Sequence, residues 1–133
     1  PKEMDHTGYY LALVDYADAL AQLDSDDAWT YFEKAVDFYP ENNIEAINRY
    51  ASYLLDRGEA GKAFTVLDTR LTRQQRIVYV RPAYLRRKAM ELAGMSTISG
   101  NAEIDEIQQR LQEDAPFLGR RPLMCYQDFR TLT

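Results

Sequence analysis

One histidine, His6, and one cysteine, Cys125, are the only residues of those types in this chain. A cysteine becomes a useful nucleophile when a base or a cationic neighbour holds it as the thiolate. His6 sits near the start of the chain, where side chains are usually solvated, and nothing in the sequence brings it to Cys125. Metal sites need His and Cys grouped at short spacing, and no such group exists here. Asp24, Asp26 and Asp27 cluster, but the glycine and closing glutamate of a calcium loop do not follow them, so helix capping accounts for them. The turns at Gly58-Glu59-Ala60-Gly61 and at Gly94 lack the strand, lysine and hydroxyl residue of a phosphate-binding loop. The expectation is therefore no catalytic residue, no metal ligand, no cofactor and no enzymatic activity.

The second group with chemical reach is basic. Arg70, Arg73, Arg76, Arg81, Arg86, Arg87 and Lys88 crowd one stretch, with Tyr79 and Tyr84 interleaved. Guanidinium groups grip carboxylates and phosphates in bidentate fashion, and tyrosines between them could stack on bases. The whole chain is acidic, with a formal net charge of −5, whereas nucleic-acid domains tend to be basic. An acidic protein or peptide is thus the favoured partner and nucleic acid the disfavoured one; a solvated arginine face is the plain alternative. The charge is unevenly spread: residues 1–68 hold 14 acidic and five basic side chains, residues 69–133 seven acidic and eleven basic. Such asymmetry suits a partner of one sign or head-to-tail self-association.

These side chains are carried by helices. Residues 9–23 place Tyr10, Leu13, Val14, Ala17, Leu20 and Ala21 on one face at helical spacing. Ser25 caps a second helix over 26–39, with Ala28, Trp29, Phe32, Ala35, Val36 and Tyr39 inward, and Pro40 stops it. After the capping pair Asn42-Asn43, a third helix runs from Ile44 to about Arg57; Gly58 turns into a fourth over 59–71. Residues 72–77 read as a polar, basic link. Ile77–Val80 is strand-like alone, but it fits better as the beginning of a fifth helix with Pro82 in its first turn, ending at Ala93-Gly94. A turn-rich link over 95–101 precedes a sixth helix over about 102–113, and the pattern fails from Pro116. Six helices with short links pair antiparallel.

Ala28, Phe32, Ala35 and Pro40, then Ile47, Tyr50, Ala51, Leu54, Gly58, Ala63 and Leu67, then Leu85, Ala89, Gly94, Ile104, Leu111 and Pro116, resemble the tetratricopeptide repeat, a 34-residue helix–turn–helix unit. The strings YFEKAVDFYPEN and YLLDRGEAGKAFTVLD carry the likeness most strongly. Arg70, where a small residue is usual, and Gln75, where proline is usual, depart from the pattern, and the third unit needs an insertion around 95–101. The resemblance implies an all-α domain over 1–133: three antiparallel helix–turn–helix hairpins stacked as a right-handed superhelix, with repeats at approximately 9–42, 43–76 and 77–116 and a tail at 117–133. Each hairpin alone leaves an apolar face exposed, and stacking buries it.

The resemblance also implies a function: an adaptor or scaffold that binds a peptide or protein segment in the groove lined by the first helix of each repeat. Mapped onto this chain, the groove takes Asp15 from repeat one, Asn48, Arg49, Ser52 and Asp56 from repeat two, and Tyr84, Arg87 and Lys88 from repeat three. The full basic-and-amide clamp that some relatives use for a terminal carboxylate is not present. The alternatives are a nucleic-acid-associated regulator using the arginine-rich 70–88 segment, and a non-catalytic accessory domain of a larger enzyme. Phe117, Leu118, Leu123, Met124, Tyr126 and Phe129 suit a tail that caps the last hairpin or docks on a second copy as a homodimer contact. No stretch is long and apolar enough for membrane insertion. The lone cysteine slightly favours a reducing, cytoplasmic compartment, and a chain that begins at Pro1 leaves a removed export signal open.

Overall fold

A computed structural model describes residues 6–38 and 43–118 of the chain. The described residues form seven helices and no strand: α1 (His6–Gln22), α2 (Asp27–Phe38), α3 (Ile44–Asp56), α4 (Ala60–Arg70), α5 (Arg73–Tyr79), α6 (Arg81–Leu92) and α7 (Ile98–Leu118). Helices α1 and α2, α3 and α4, and α6 and α7 pack as hairpins; α3 lies against α1 and α2, and α6 against α3 and α4. The all-α hairpin architecture is as expected. Pro40 and Asn42 lie outside the described residues, as do Cys125 and the tail from Gly119 onward, so the capping or dimer role of that tail is not addressed by the structure.

Each hairpin turns by the same local chemistry. At the end of α3, Gly58 adopts φ 79, its N–H donates to the Leu55 carbonyl at 3.1 Å, and the Glu59 N–H reaches the Leu54 carbonyl at 2.8 Å. This closes the orphan carbonyls of the last turn with a left-handed residue. Gly94 repeats it at φ 75, with Met95 N–H on the Met90 carbonyl at 2.9 Å. Asp24 does the same at φ 57, with Ser25 N–H on the Leu20 carbonyl at 2.9 Å; aspartate is among the few residues that tolerate this region. The hairpin turns thus share one form although only two of them use glycine. Ser25 then caps α2 through its Oγ, which accepts from the Asp27 N–H at 3.2 Å.

Small residues set the helix spacing. Ala28, Ala35, Ala51 and Ala63 are fully buried, and Phe32, Tyr50 and Tyr53 fill the space that they leave. Phe32 stacks on Tyr50 at 5.7 Å and lies 4.9 Å from Tyr53, which locks α2 to α3. Trp29, expected inside, is instead half-exposed; its Nε1 donates to the Tyr50 hydroxyl at 2.8 Å, and that hydroxyl donates to Glu33 Oε2 at 3.0 Å. Burial first, and the Glu33 carboxylate second, hold the Tyr50 hydroxyl protonated well above its ordinary range. Asn43 does not cap α3 with its side chain; its Nδ2 donates back to the Val36 carbonyl on α2.

The main departure from expectation is between residues 72 and 98. The basic link is a helix, α5, opened by a capping box in which the Gln75 N–H donates to Thr72 Oγ1 at 3.1 Å and the Thr72 N–H to Gln75 Oε1 at 2.9 Å. The fifth helix expected over 77–94 is broken at Val80, which takes φ 67 and ψ −59, near the centre of a strained γ-turn. Such a conformation in a β-branched residue costs about 1–3 kcal/mol, and the buried position of Val80 against Ile77, Tyr84, Ile104 and Ile107 offsets it. The link expected over 95–101 is shorter, because α7 starts at Ile98, and the pattern does not fail at Pro116, because α7 continues to Leu118.

Ion pairs tie α5 to α7. Arg73 Nη2 meets Glu106 Oε1 at 2.9 Å, and Arg110 Nη2 meets Glu106 Oε2 at 2.8 Å. The hydrogen bond from Arg73 leads in lowering the Glu106 pKa below its ordinary 4.5. A carboxylate held below its unfolded value contributes stability that is complete above that value and disappears as pH falls through the lowered one. Hydrogen exchange in α5 is therefore expected to accelerate as pH falls below 4.5, after correction for intrinsic rates, and the Glu106→Gln variant should lose that dependence. Identical pH profiles for the two proteins would show that this pair does not anchor α5.

Candidate functional cleft

The first helices of the hairpins share a cleft of about 600 Å³. Asp18, Ala21 and Gln22 come to it from α1, with Asp24 from the turn that follows; Glu45, Arg49, Ser52, Tyr53 and Asp56 come from α3, with Arg57 at its end, and Arg81 from the start of α6. Helical period explains the α3 set, since positions 45, 49, 52, 53 and 56 recur on one face. The contact between α1 and α3 is fixed beside the cleft by Tyr10, whose hydroxyl accepts from the Ala46 N–H at 2.7 Å.

Arg49 is the central cation. Its Nε donates to Glu45 Oε2 at 2.8 Å, and its Nη1 to Asp15 Oδ1 at 2.9 Å and Asp18 Oδ2 at 2.6 Å. Partial burial opposes its charge, and the bonds to Glu45, Asp15 and Asp18 outweigh that effect, so its pKa is raised. One guanidinium thus serves three carboxylates, and the local balance is negative. Arg57 is loosely placed, 3.8 Å from Asp26 Oδ1 and 5.4 Å above the Tyr53 ring. Among the described residues, Asp24, Asp56 and Arg81 have no ion-pair partner.

The structure brings together only part of the expected groove. Arg49, Ser52 and Asp56 line the cleft, and Asp15 reaches it through Arg49. Asn48 is buried rather than presented. Tyr84 is buried against Ile104 and Ile107 of α7, where desolvation leads in raising its pKa. Arg87 also turns to α7: its Nη1 is 3.5 Å from Asn101 Oδ1, and a Cβ on Gly100 would sit 3.0 Å from its Cγ. Lys88 is exposed but does not line the cleft. The α6 contribution is Arg81, at the first position of the helix that restarts after the break at Val80.

The basic stretch is largely consumed inside the fold. Arg70 pairs with Asp37 at 2.7 Å, Arg73 with Glu106, Arg76 with Glu103 at 2.7 Å, and Arg86 with Asp68 at 3.0 Å. Asp18, Glu45, Arg57 and Arg81 were not anticipated. The Glu45–Arg49 spacing of four was a readable signal for one of them; Asp18, one turn beyond Asp15, was another. Among the described residues no helix is long and apolar enough to cross a membrane.

Comparison with protein-family models, curated proteins and solved structures finds no match.

Proposed function

We propose that this chain is a tetratricopeptide-like interaction module that holds a segment of another protein in the cleft between α1, α3 and α6, without chemistry of its own. The observation that carries the reading is the cleft itself: an open volume of about 600 Å³ whose walls come from the first helix of each successive hairpin. Volumes of this order suit a short stretch of polypeptide.

Charge selects the occupant. The walls carry Asp18, Asp24, Glu45 and Asp56, with Asp15 behind them, against Arg49, Arg57 and Arg81. Because Arg49 is engaged by Asp15, Asp18 and Glu45, the remaining field favours a segment with basic side chains, opposite to the acidic partner expected from the arginine stretch. Replacing Asp24 by asparagine, which keeps the left-handed turn, and Asp56 by lysine is expected to weaken a captured partner by about tenfold or more, most strongly at low salt. Thr65→Lys on α4 serves as the control, and Arg87→Glu with Lys88→Glu should change little. The measurement is titration calorimetry on the purified pair at two ionic strengths. Affinity unchanged in the Asp24→Asn, Asp56→Lys variant would overturn the site.

A further inference from the structure

The cleft presents unpaired charge of both signs. Asp24 lies in the turn after α1 and Asp56 is the last residue of α3, and both are exposed. Arg81 is the first residue of α6, directly after the strained Val80, and is half-buried. Of the arginines between positions 70 and 88, Arg70, Arg73, Arg76 and Arg86 each meet a carboxylate, and Arg87 meets the Asn101 side chain. Arg81 meets no carboxylate among the described residues, and its Nε is closed off from water without a hydrogen-bond acceptor. A guanidinium N–H in that position is unfavourable, and such a group in a native fold needs a reason. The other cations of the cleft are engaged. Arg49 serves Glu45, Asp15 and Asp18, and Arg57 rests over the Tyr53 ring beside Asp26. Among the described residues, an anion entering the cleft therefore finds its open guanidinium at Arg81.

We infer that Arg81 receives an acidic side chain of the segment held in the cleft while Asp24 and Asp56 receive a basic one, so that the segment is recognised as an acid and a base in a fixed order. This rests on the reading of the cleft as a peptide-binding site, and it narrows the occupant from a basic segment to a bipolar one. A carboxylate suits Arg81 because its two oxygens accept from Nε and one Nη together, which satisfies the closed-off N–H as well as the charge. A wholly basic segment would set like charge against Arg81 and leave that N–H without an acceptor. The carboxylate is a side chain rather than a chain end. One guanidinium makes one two-pronged pair, and the cleft lacks the further basic and amide groups that gather round a terminal carboxylate. Arg81 opens α6 while Asp24 and Asp56 belong to the ends of α1 and α3, so the two signs have fixed places. A segment with its acid and base exchanged would meet like charge at both.

A displayed library of random peptides tests this, selected on the intact chain and then remade as synthetic peptides blocked at both ends for fluorescence anisotropy. The selected peptides are expected to share one acidic and one basic residue in a recurring order. Changing the peptide's acidic residue to its amide should weaken binding to the wild-type chain about tenfold and binding to Arg81→Gln hardly at all, because there the pair is already broken. Arg81→Lys keeps the charge without the two-pronged grip and should fall between the two. Asp56→Lys should act through the peptide's basic residue instead. Circular dichroism checks that each variant folds. Four results would overturn the inference while the cleft keeps its role: bound peptides without an acidic residue, an equal loss on Arg81→Gln and wild type, equal binding with the two charges exchanged, or binding only with a free carboxyl end. No selected peptide, or binding indifferent to both Asp56→Lys and Arg81→Gln, would overturn the peptide-binding reading of the cleft and the inference with it.

Discussion

Glu103→Ala is expected to destabilise the chain by about 3–5 kcal/mol, the cost of leaving a buried charge without its partner. Glu103 is 2 % exposed and receives Arg76 through Nε at 3.1 Å and Nη2 at 2.7 Å, with Arg86 Nη1 at 3.4 Å. Arg76 is itself buried and also donates from Nη1 to the Leu67 and Leu71 carbonyls at 3.2 and 2.8 Å, so it closes the end of α4. Arg86 holds Asp68 through Nε and Nη2 at 3.1 and 3.0 Å and lies over the Phe64 ring at 5.1 Å. One carboxylate on α7 therefore joins α4, α5 and α6. Its removal strands the Arg76 guanidinium among apolar neighbours and withdraws one of the carboxylates that serve Arg86. Set against a total stability of about 5–15 kcal/mol, this is a large fraction of what holds a domain folded. Urea unfolding measures the loss. Glu103→Gln, which keeps the shape and an acceptor, should lose less than alanine. A Glu103→Ala loss under about 1 kcal/mol would mean that the network is not closed in solution.

Phe32→Ala should cost a similar amount, about 3–5 kcal/mol, for a different reason. Phe32 is fully buried and stands between α2 and α3 against Tyr50 and Tyr53, so alanine leaves a cavity at the joint of the first two hairpins. Phe32→Leu, with more volume retained, should recover a large part of the loss. Trp29→Ala is the informative comparison one turn earlier: Trp29 is half-exposed, so its loss should be smaller and come mainly from freeing the Tyr50 hydroxyl and from the contact with Lys62 Nζ, 4.4 Å from its ring. Phe32 belongs to the larger core and Glu103 lies beside the smaller one, so the two losses should add in the double variant. An equal loss for Trp29→Ala and Phe32→Ala would contradict the packing described.

Much of the fold was legible in the chain, and the limits were physical. The Ala28, Phe32, Ala35 spacing and the turn at Gly58 follow from short-range rules, because small residues at helical period and a left-handed turn residue are local requirements. Asp24 in the same conformation gives no separate signal, since aspartate is also a common cap. The Thr72-x-x-Gln75 signal for α5 was present but stood in a stretch dominated by charge. Val80 was not foreseeable: nothing local drives a β-branched residue to positive φ, and only its burial against α7 compensates. Beyond that break, Arg81 at the first turn of α6 lines the cleft, whereas Tyr84 is buried, Arg87 turns to α7 and Lys88 lies outside it. The pairing of Arg76 with Glu103, 27 positions apart, was equally hidden, since an isolated arginine on a helix is ordinarily solvated.

The most direct measurement is site-specific photocrosslinking in the source lysate, with a crosslinking side chain at Ser52 inside the cleft and, in a separate protein, at Thr65 on α4. The account predicts a discrete polypeptide adduct from position 52 that is absent from position 65, that disappears when Asp24 is asparagine and Asp56 is lysine, and whose crosslinked segment carries basic residues. Equal labelling from both positions, or an adduct at position 52 indifferent to those two charges, would contradict it.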